Sequence, residues 1–203
     1  MSSRHGIDVR LHELGLIAPA GYFVGLHIRF TSPLLTFQTY DQVWLDHYTN
    51  NGYVLRDPMT AWGFSTEGSI RWSDPRLPDP FGLFKEAAQF GLRYGVTVSY
   101  GPISSRTIAS VARSDREFTD DEIRRVTAIV HNLHDLTMPP EELTPPQIEA
   151  LRHIAGGDRH AAAANKLGIS ESALKARLNA ARQRLMARTT AEAIQRAKDY
   201  KLI

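Results

Sequence analysis

Two Pro-Pro pairs, Pro139-Pro140 and Pro145-Pro146, fall within the twelve residues LTMPPEELTPPQ, 136–147. Proline fixes φ and carries no amide hydrogen, so no helix can run through this stretch and no central strand can use it. The chain must therefore divide. The spacing predicts a larger N-terminal domain over 1–136, a linker over 137–142 and a small domain over 143–203. The linker is short, so the two parts should stay close.

Charge divides at the same place. Residues 143–203 hold eleven Lys/Arg against five Asp/Glu, a balance of +6, whereas residues 1–142 hold thirteen against seventeen, a balance of −4. A basic terminal domain beside an acidic one places any contact with a polyanion at the C-terminus. With 42% hydrophobic residues over 203 positions, the chain can fill a core and does not read as disordered. It has no cysteine, which excludes a disulfide framework, thiolate metal sites and a cysteine nucleophile. MSSRHGIDVR lacks the apolar run of a signal peptide, and no segment approaches the ~20 apolar residues needed to span a bilayer. The expectation is a soluble, cytoplasmic protein.

Before the linker, helices and strands alternate. GYFVGLHIRF (21–30), PLLTFQTY (33–40), GVTVSY (95–100) and RTIASVAR (106–113) read as strands, the last two flanking a turn at Gly101-Pro102. DQVWLDHYTNNG (41–52) and FGLFKEAAQFG (81–91) read as helices. FTDDEIRRVTAIVHNLHDL (118–136) is an amphipathic helix, with Thr119 as N-cap, Glu122 completing a capping box, and Ile123, Val126, Val130 and Leu133 as its apolar stripe. The expected fold class is α+β, an α-β-α sandwich around an antiparallel sheet, followed by a small all-α domain of four helices.

The C-terminal helices carry the pattern of a helix-turn-helix. In AAAANKLGISESALKARLNAARQRL (161–185), Gly168 can take the left-handed conformation that stops a helix. Ile169 plugs the core below the turn, and Ser170 caps the next helix. Leu174, Leu178, Ala181 and Leu185 recur at helical spacing as a buried stripe. The opposite face bears Ser172, Lys175, Ala176, Asn179 and Arg182. A helix entering a major groove needs short side chains for close approach, donors for base edges and cations for phosphates. Solvation alone would also account for a cationic face; the turn, the Ala-rich preceding helix and the +6 balance favour DNA.

A second cluster lies upstream. All three tryptophans (Trp44, Trp62, Trp72) fall in residues 44–72, with Tyr40, Tyr48, Tyr53 and the Asp57-Pro58 pair nearby. Each alone is ordinary core or turn. Together they offer indole donors, a carboxylate acceptor and phenols on an aromatic lining, which suits a small molecule bearing a carbonyl and an amide N–H.

Both clusters resemble LuxR-type quorum-sensing regulators. Tyr40, Trp44, Tyr48, Asp57-Pro58, Trp72 and Tyr94-Gly95 are similar in order and spacing to that family's ligand-binding domain, and Leu143-Thr144, Leu151, Gly157, Leu167-Gly168-Ile169-Ser170, Lys175, Arg184-Leu185 and the Ala-rich last helix to its DNA-binding domain. The resemblance implies an acyl homoserine lactone as ligand and no cofactor. Trp44 would donate to the lactone carbonyl, Asp57 would accept from the amide N–H, and Tyr40 would bond the acyl carbonyl with Ser110 as a second donor. Tyr48 and Trp72 would pack on the ring and the start of the chain. On DNA, Lys175, Ala176 and Asn179 would face bases and Arg177 and Arg182 phosphates, while the helix from Thr190 to Tyr200 would pair with its copy in a homodimer. Departures are Ser99 for a proline, Thr107 for a glycine, Met59 after the Asp-Pro, Pro146-Gln147 for an Arg-Glu pair, Ala162 for a glutamate, Gly157-Asp158-Arg159 for Gly-Lys-Thr, and Arg177 for a histidine. These departures imply a rewired salt bridge in the small domain or weaker DNA binding. The rival reading is a LuxR-like protein without acyl homoserine lactone binding, acting independently of ligand or as a dimerising inhibitor of another regulator. An enzyme lacks support: Asp46-His47 is isolated, no HExxH or phosphate loop occurs, and His131 and His134, three apart, are expected to be solvated rather than to hold a metal.

Overall fold

The computed structural model describes residues 2–28, 32–138, 143–200 and 202–203. They form two compact units, Met1–Met138 and Pro139–Ile203. Most of the expected linker, residues 139–142, lies outside the described residues. Thr137, expected in that linker, is instead the C-cap of the last helix of the first unit, and its side chain is buried.

The first unit opens with α1 (Ser2–Ile17), which the sequence reading left unassigned. Five strands follow: β1 (Gly21–Ile28), β2 (Leu35–Gln38), β3 (Gly68–Arg71), β4 (Tyr94–Tyr100) and β5 (Arg106–Arg113). They form one antiparallel sheet in the order β2-β1-β5-β4-β3. Between β2 and β3 come α2 (Gln42–Asn50), a 3-10 turn (Tyr53–Leu55) and α3 (Pro58–Ser65); α4 (Leu83–Gln89) precedes β4 and α5 (Asp120–Leu136) closes the unit. The expected capping box is present: the Thr119 hydroxyl accepts from the Glu122 amide and the Glu122 carboxylate from the Thr119 amide. Like α1, the elements α3 and β3 are not among those the sequence pattern predicts. Each is short or lacks a clear apolar period.

Strand alternation sorts the side chains into two layers. Val96 and Val98 of β4 and Ala109 and Val111 of β5 pack with Leu14 and Ile17 of α1 and Val126, Val130 and Leu133 of α5. The opposite face of the same strands presents Thr97, Ser110 and Ala112 towards α2, α3 and α4. There Trp44, Tyr53, Met59, Trp72, Leu83, Ala87 and Leu92 make a second apolar cluster. This is the α-β-α sandwich expected. Two glycines are demanded by close approach: a Cβ on Gly95 would lie 2.2 Å from the Trp72 ring, and one on Gly63 2.7 Å from Ile108. Trp72 therefore lies directly on the backbone of β4, where its amide donates to the Gly95 carbonyl at 2.9 Å.

The end of α5 is fastened to the sheet by histidines, contrary to the expectation that His134 is solvated. His134 is 3% exposed, and its Nδ1 lies 2.8 Å from the Thr107 hydroxyl. Across from it His27, at φ 51° in a bulge of β1, donates from Nε2 to the His134 carbonyl at 3.0 Å while its amide donates to Thr107 at 3.2 Å. Thr107 is thus a polar hub. Helical periodicity could show that position 134 shares the inward face; only the neighbouring β5 hydroxyl explains why a histidine is tolerated there.

The second unit consists of α6 (Pro145–Ala155), α7 (His160–Lys166), α8 (Glu171–Arg184) and α9 (Thr190–Asp199). Leu143, Ala150, Leu151, Ala163, Ala164, Leu174, Leu178, Ala181, Leu185, Ala193 and Ala197 form its core. The predicted turn is present: Gly168 is at φ 64°, and the Ser170 hydroxyl accepts from the Ala173 amide at 3.2 Å.

Candidate functional site

α2, α3 and α4 stand off the sheet around a cavity of about 290 Å³. Tyr40, Trp44, Tyr48, Asp57, Trp72 and Ser110 all line it, together with apolar walls from Phe23, Leu45, Met59, Leu83, Ala87 and Leu92. The sequence cluster therefore converges, although Trp62 does not: it packs against the surrounding apolar cluster without lining the cavity.

Asp57 is the anchor. It is N-cap of α3, with Pro58 at N1, and its Oδ1 accepts from the Met59 amide at 2.8 Å. Its Oδ2 accepts from the Tyr48 hydroxyl at 2.8 Å. Burial drives its pKa above the ordinary carboxylate range, while the Tyr48 hydroxyl and the backbone amides oppose the rise. Burial, and then the nearby Asp57 charge, push the Tyr40 and Tyr48 phenols upward, so both remain hydrogen-bond donors.

The back wall is a directed chain. The Trp72 indole N–H donates to Thr97 Oγ1 at 3.1 Å. Thr97 and Ser110 are register partners across β4 and β5, with hydroxyls 3.0 Å apart. The Ser110 hydroxyl then points to the Met59 sulfur at 3.6 Å, a weak acceptor. With the Ser110 proton directed at Met59, Ser110 accepts from Thr97, so the chain runs Trp72 to Thr97 to Ser110 and ends at a residue that lines the cavity. Tyr40 donates to the Ser110 backbone carbonyl at 3.0 Å. Trp44, 4% exposed, has no hydrogen-bond partner for its indole N–H among the described residues. Thr97 was not anticipated; its only sequence signal is a hydroxyl inside the apolar run Val96-Thr97-Val98.

In the second unit, Ser172, Lys175, Ala176 and Asn179 are exposed on α8, and Arg177 is half-buried on the same helix. Arg182 is also half-buried, and its guanidinium is bound to the Asn179 side chain at 3.2 Å and to the Arg188 carbonyl. It is thus less free than the other cations. At the turn between α6 and α7, Asp158 takes His153 Nδ1 at 2.8 Å and Lys166 Nζ at 2.6 Å. Those partners, Lys166 first, hold its carboxyl below the ordinary range.

Residues 22–136 match the autoinducer binding domain family. The chain is 30% identical over 166 residues to the HTH-type quorum-sensing regulator RhlR of Pseudomonas aeruginosa, spanning 74% of this chain and 69% of that protein. This chain belongs to the LuxR-type quorum-sensing regulators. The transcriptional activator protein RaiR of Rhizobium etli is 29% identical over 180 residues, covering 80% of this chain and 74% of RaiR. Among solved structures, SdiA in complex with octanoyl-rac-glycerol matches with a TM-score of 0.50 at 23% identity, over 96% of this chain and 88% of SdiA, a likeness of fold. The LuxR-type regulator is an autoinducer-responsive transcription factor rather than an enzyme. Among its described residues no helix is long and apolar enough to cross a membrane. In this LuxR-type chain, Asp158 pairs with Lys166 and is hydrogen-bonded to His153 at the turn between α6 and α7.

Proposed function

We propose that this LuxR-type regulator is a cytoplasmic homodimer that binds an acyl homoserine lactone in the cavity of its first unit and reads double-stranded DNA with α8. The observation that carries the reading is the polar set of the cavity: a buried carboxylate, an indole N–H without a described partner, and hydroxyls bound to weak or exchangeable acceptors. In the complex the Trp44 N–H donates to the lactone carbonyl and Asp57 accepts from the amide N–H. The acyl carbonyl accepts from Ser110, released from a thioether, or from Tyr40, released from a backbone carbonyl. Trp72 offers only its ring, since its N–H is spent on Thr97. Ligand burial favours the ordered state of the first unit, and α9 pairs with its copy to set two recognition helices one helical turn apart.

The test is the melting temperature with acyl homoserine lactones of increasing chain length. Ligand at a hundredfold over its Kd stabilises by about 2.7 kcal/mol, a shift of several degrees. A chain-length-dependent rise is expected, and a flat panel with a cooperative melt overturns the ligand assignment. Replacing Lys175 and Asn179 with Ala should abolish specific DNA binding and spare ligand binding. The second reading, an inhibitor that dimerises with another regulator, draws on the tethered Arg182. It predicts no salt-sensitive gel shift on any promoter DNA.

A further inference from the structure

His47, Tyr53 and Glu86 converge at the rim of the cavity. Glu86 lies on α4, between the cavity-lining Leu83 and Ala87. Its Oε1 is 2.8 Å from His47 Nε2 on α2, and its Oε2 accepts from the Tyr53 hydroxyl at 2.5 Å. The Asn51 amide nitrogen, 3.4 Å from His47 Nδ1, favours the tautomer that places the proton on Nε2, where it points at Glu86. Tyr53 and then His47, as donors, hold the Glu86 carboxyl below its ordinary pKa, so the clasp is built on the ionised form. Among the described residues, these are the only hydrogen bonds joining residues 41–55 to α4.

The clasp surrounds one ring. Trp44 packs against His47 (6.1 Å between centroids), Tyr53 (6.2 Å), Tyr48 (5.8 Å, edge-on) and Phe90 (5.3 Å). Two of these four walls are the residues Glu86 holds. Aromatic edges alone restrain a ring softly, whereas hydrogen bonds to a carboxylate fix direction.

We propose that Glu86 is a positioning residue: through His47 and Tyr53 it fastens α2 to α4 across the cavity and holds the Trp44 indole in the orientation that meets the ligand carbonyl. The role of Trp44 towards ligand rests on the function proposed above; the fastening does not. Glu86 touches no ligand atom. Its loss should leave the Trp72 N–H unchanged, because that donor is fixed by Thr97 on β4 although the ring also stacks on Phe84 of α4.

The experiment follows the indole N–H resonances in the full-length protein, assigned with Trp44→Phe and Trp72→Phe. Without ligand, Glu86→Ala should speed solvent exchange of the Trp44 N–H about tenfold or more, the scale set by losing a charged hydrogen bond, and leave Trp72 as in the wild type. Glu86→Gln, which keeps an acceptor for Tyr53, should fall between. With hexanoyl homoserine lactone as probe, Glu86→Ala should release ligand faster without slower association. If both indoles exchange faster, Glu86 merely stabilises the unit and the proposal fails. If neither changes, the clasp does not hold Trp44 and it fails again. If the wild type does not bind the lactone, the ligand assignment falls, and the ligand-free exchange still decides the clasp.

Discussion

Asp57 holds the local structure together at the position proposed to meet the ligand. Its two oxygens accept from the Met59 amide and the Tyr48 hydroxyl, so Asp57→Ala leaves two donors without their acceptor, a cost of about 1–3 kcal/mol each. It should also abolish the rise in melting temperature with ligand. Asn keeps the size but cannot titrate. Because burial raises the folded-state pKa of Asp57, its stabilising contribution is complete below the ordinary carboxylate pKa and is lost as pH climbs through the raised value. The melting temperature of Asp57→Asn relative to wild type should therefore increase as pH rises from about 4 towards neutrality. A difference independent of pH would mean that the carboxylate is already well solvated. Asp-Pro was conspicuous in the sequence as a carboxylate beside the aromatic cluster; that it opens α3, with both oxygens occupied from inside the protein, was not.

At the scale of elements, α5 and α8 illustrate two kinds of attachment. α5 is held along its length by an apolar stripe and at its end by His134. Burial lowers the His134 pKa, so its contribution to stability is full above the ordinary histidine pKa and is lost as pH falls towards the lowered value. Full-length protein should melt at lower temperature below about pH 6.5. In His134→Gln, which removes the titrating ring, that slope should be shallower. α8 is held along its length by the stripe of Leu174, Leu178, Ala181 and Leu185, and at its end by Arg196 of α9, which donates to the Leu185 carbonyl at 2.8 Å. Leu178→Ala should cost about 2–5 kcal/mol and remove DNA binding by unfolding the second unit. The Lys175 and Asn179 double substitution should remove binding while the circular dichroism of the unit stays intact. If both variants unfold, the polar face is structural.

For the whole molecule, the separation of cores matters. Both apolar clusters of the first unit draw only on residues up to Leu133, and the cluster of the second begins at Leu143. Among the described residues, none belongs to a cluster of both units. A chain ending at Met138 should therefore fold and show the same ligand-induced rise in melting temperature as the full protein. A fragment that is unfolded, or folded but unresponsive, would mean that the second unit completes the first.

The sequence by itself determined what depends on spacing within an element. The Pro-Pro pairs divided the chain, the capping box and heptad-like stripe drew α5, and Gly168-Ile169-Ser170 drew the turn before α8. It also determined that Tyr40, Trp44, Tyr48, Asp57, Trp72 and Ser110 share a fate, through their resemblance to a family. Tertiary structure alone decided what depends on distance between elements. α1 and β3 left too weak a period to be read. The hydroxyl chain from Trp72 to Ser110 exists because β4 and β5 pair in one register, and His134 is buried because Thr107 and His27 arrive from two strands to meet it. Glu86 looks like a solvated acid in the first turn of α4 until α2 folds over the cavity and brings His47 and Tyr53 to it. A hydrogen bond needs two partners within about 3 Å, and chain position says nothing of that distance once the partners lie on different elements.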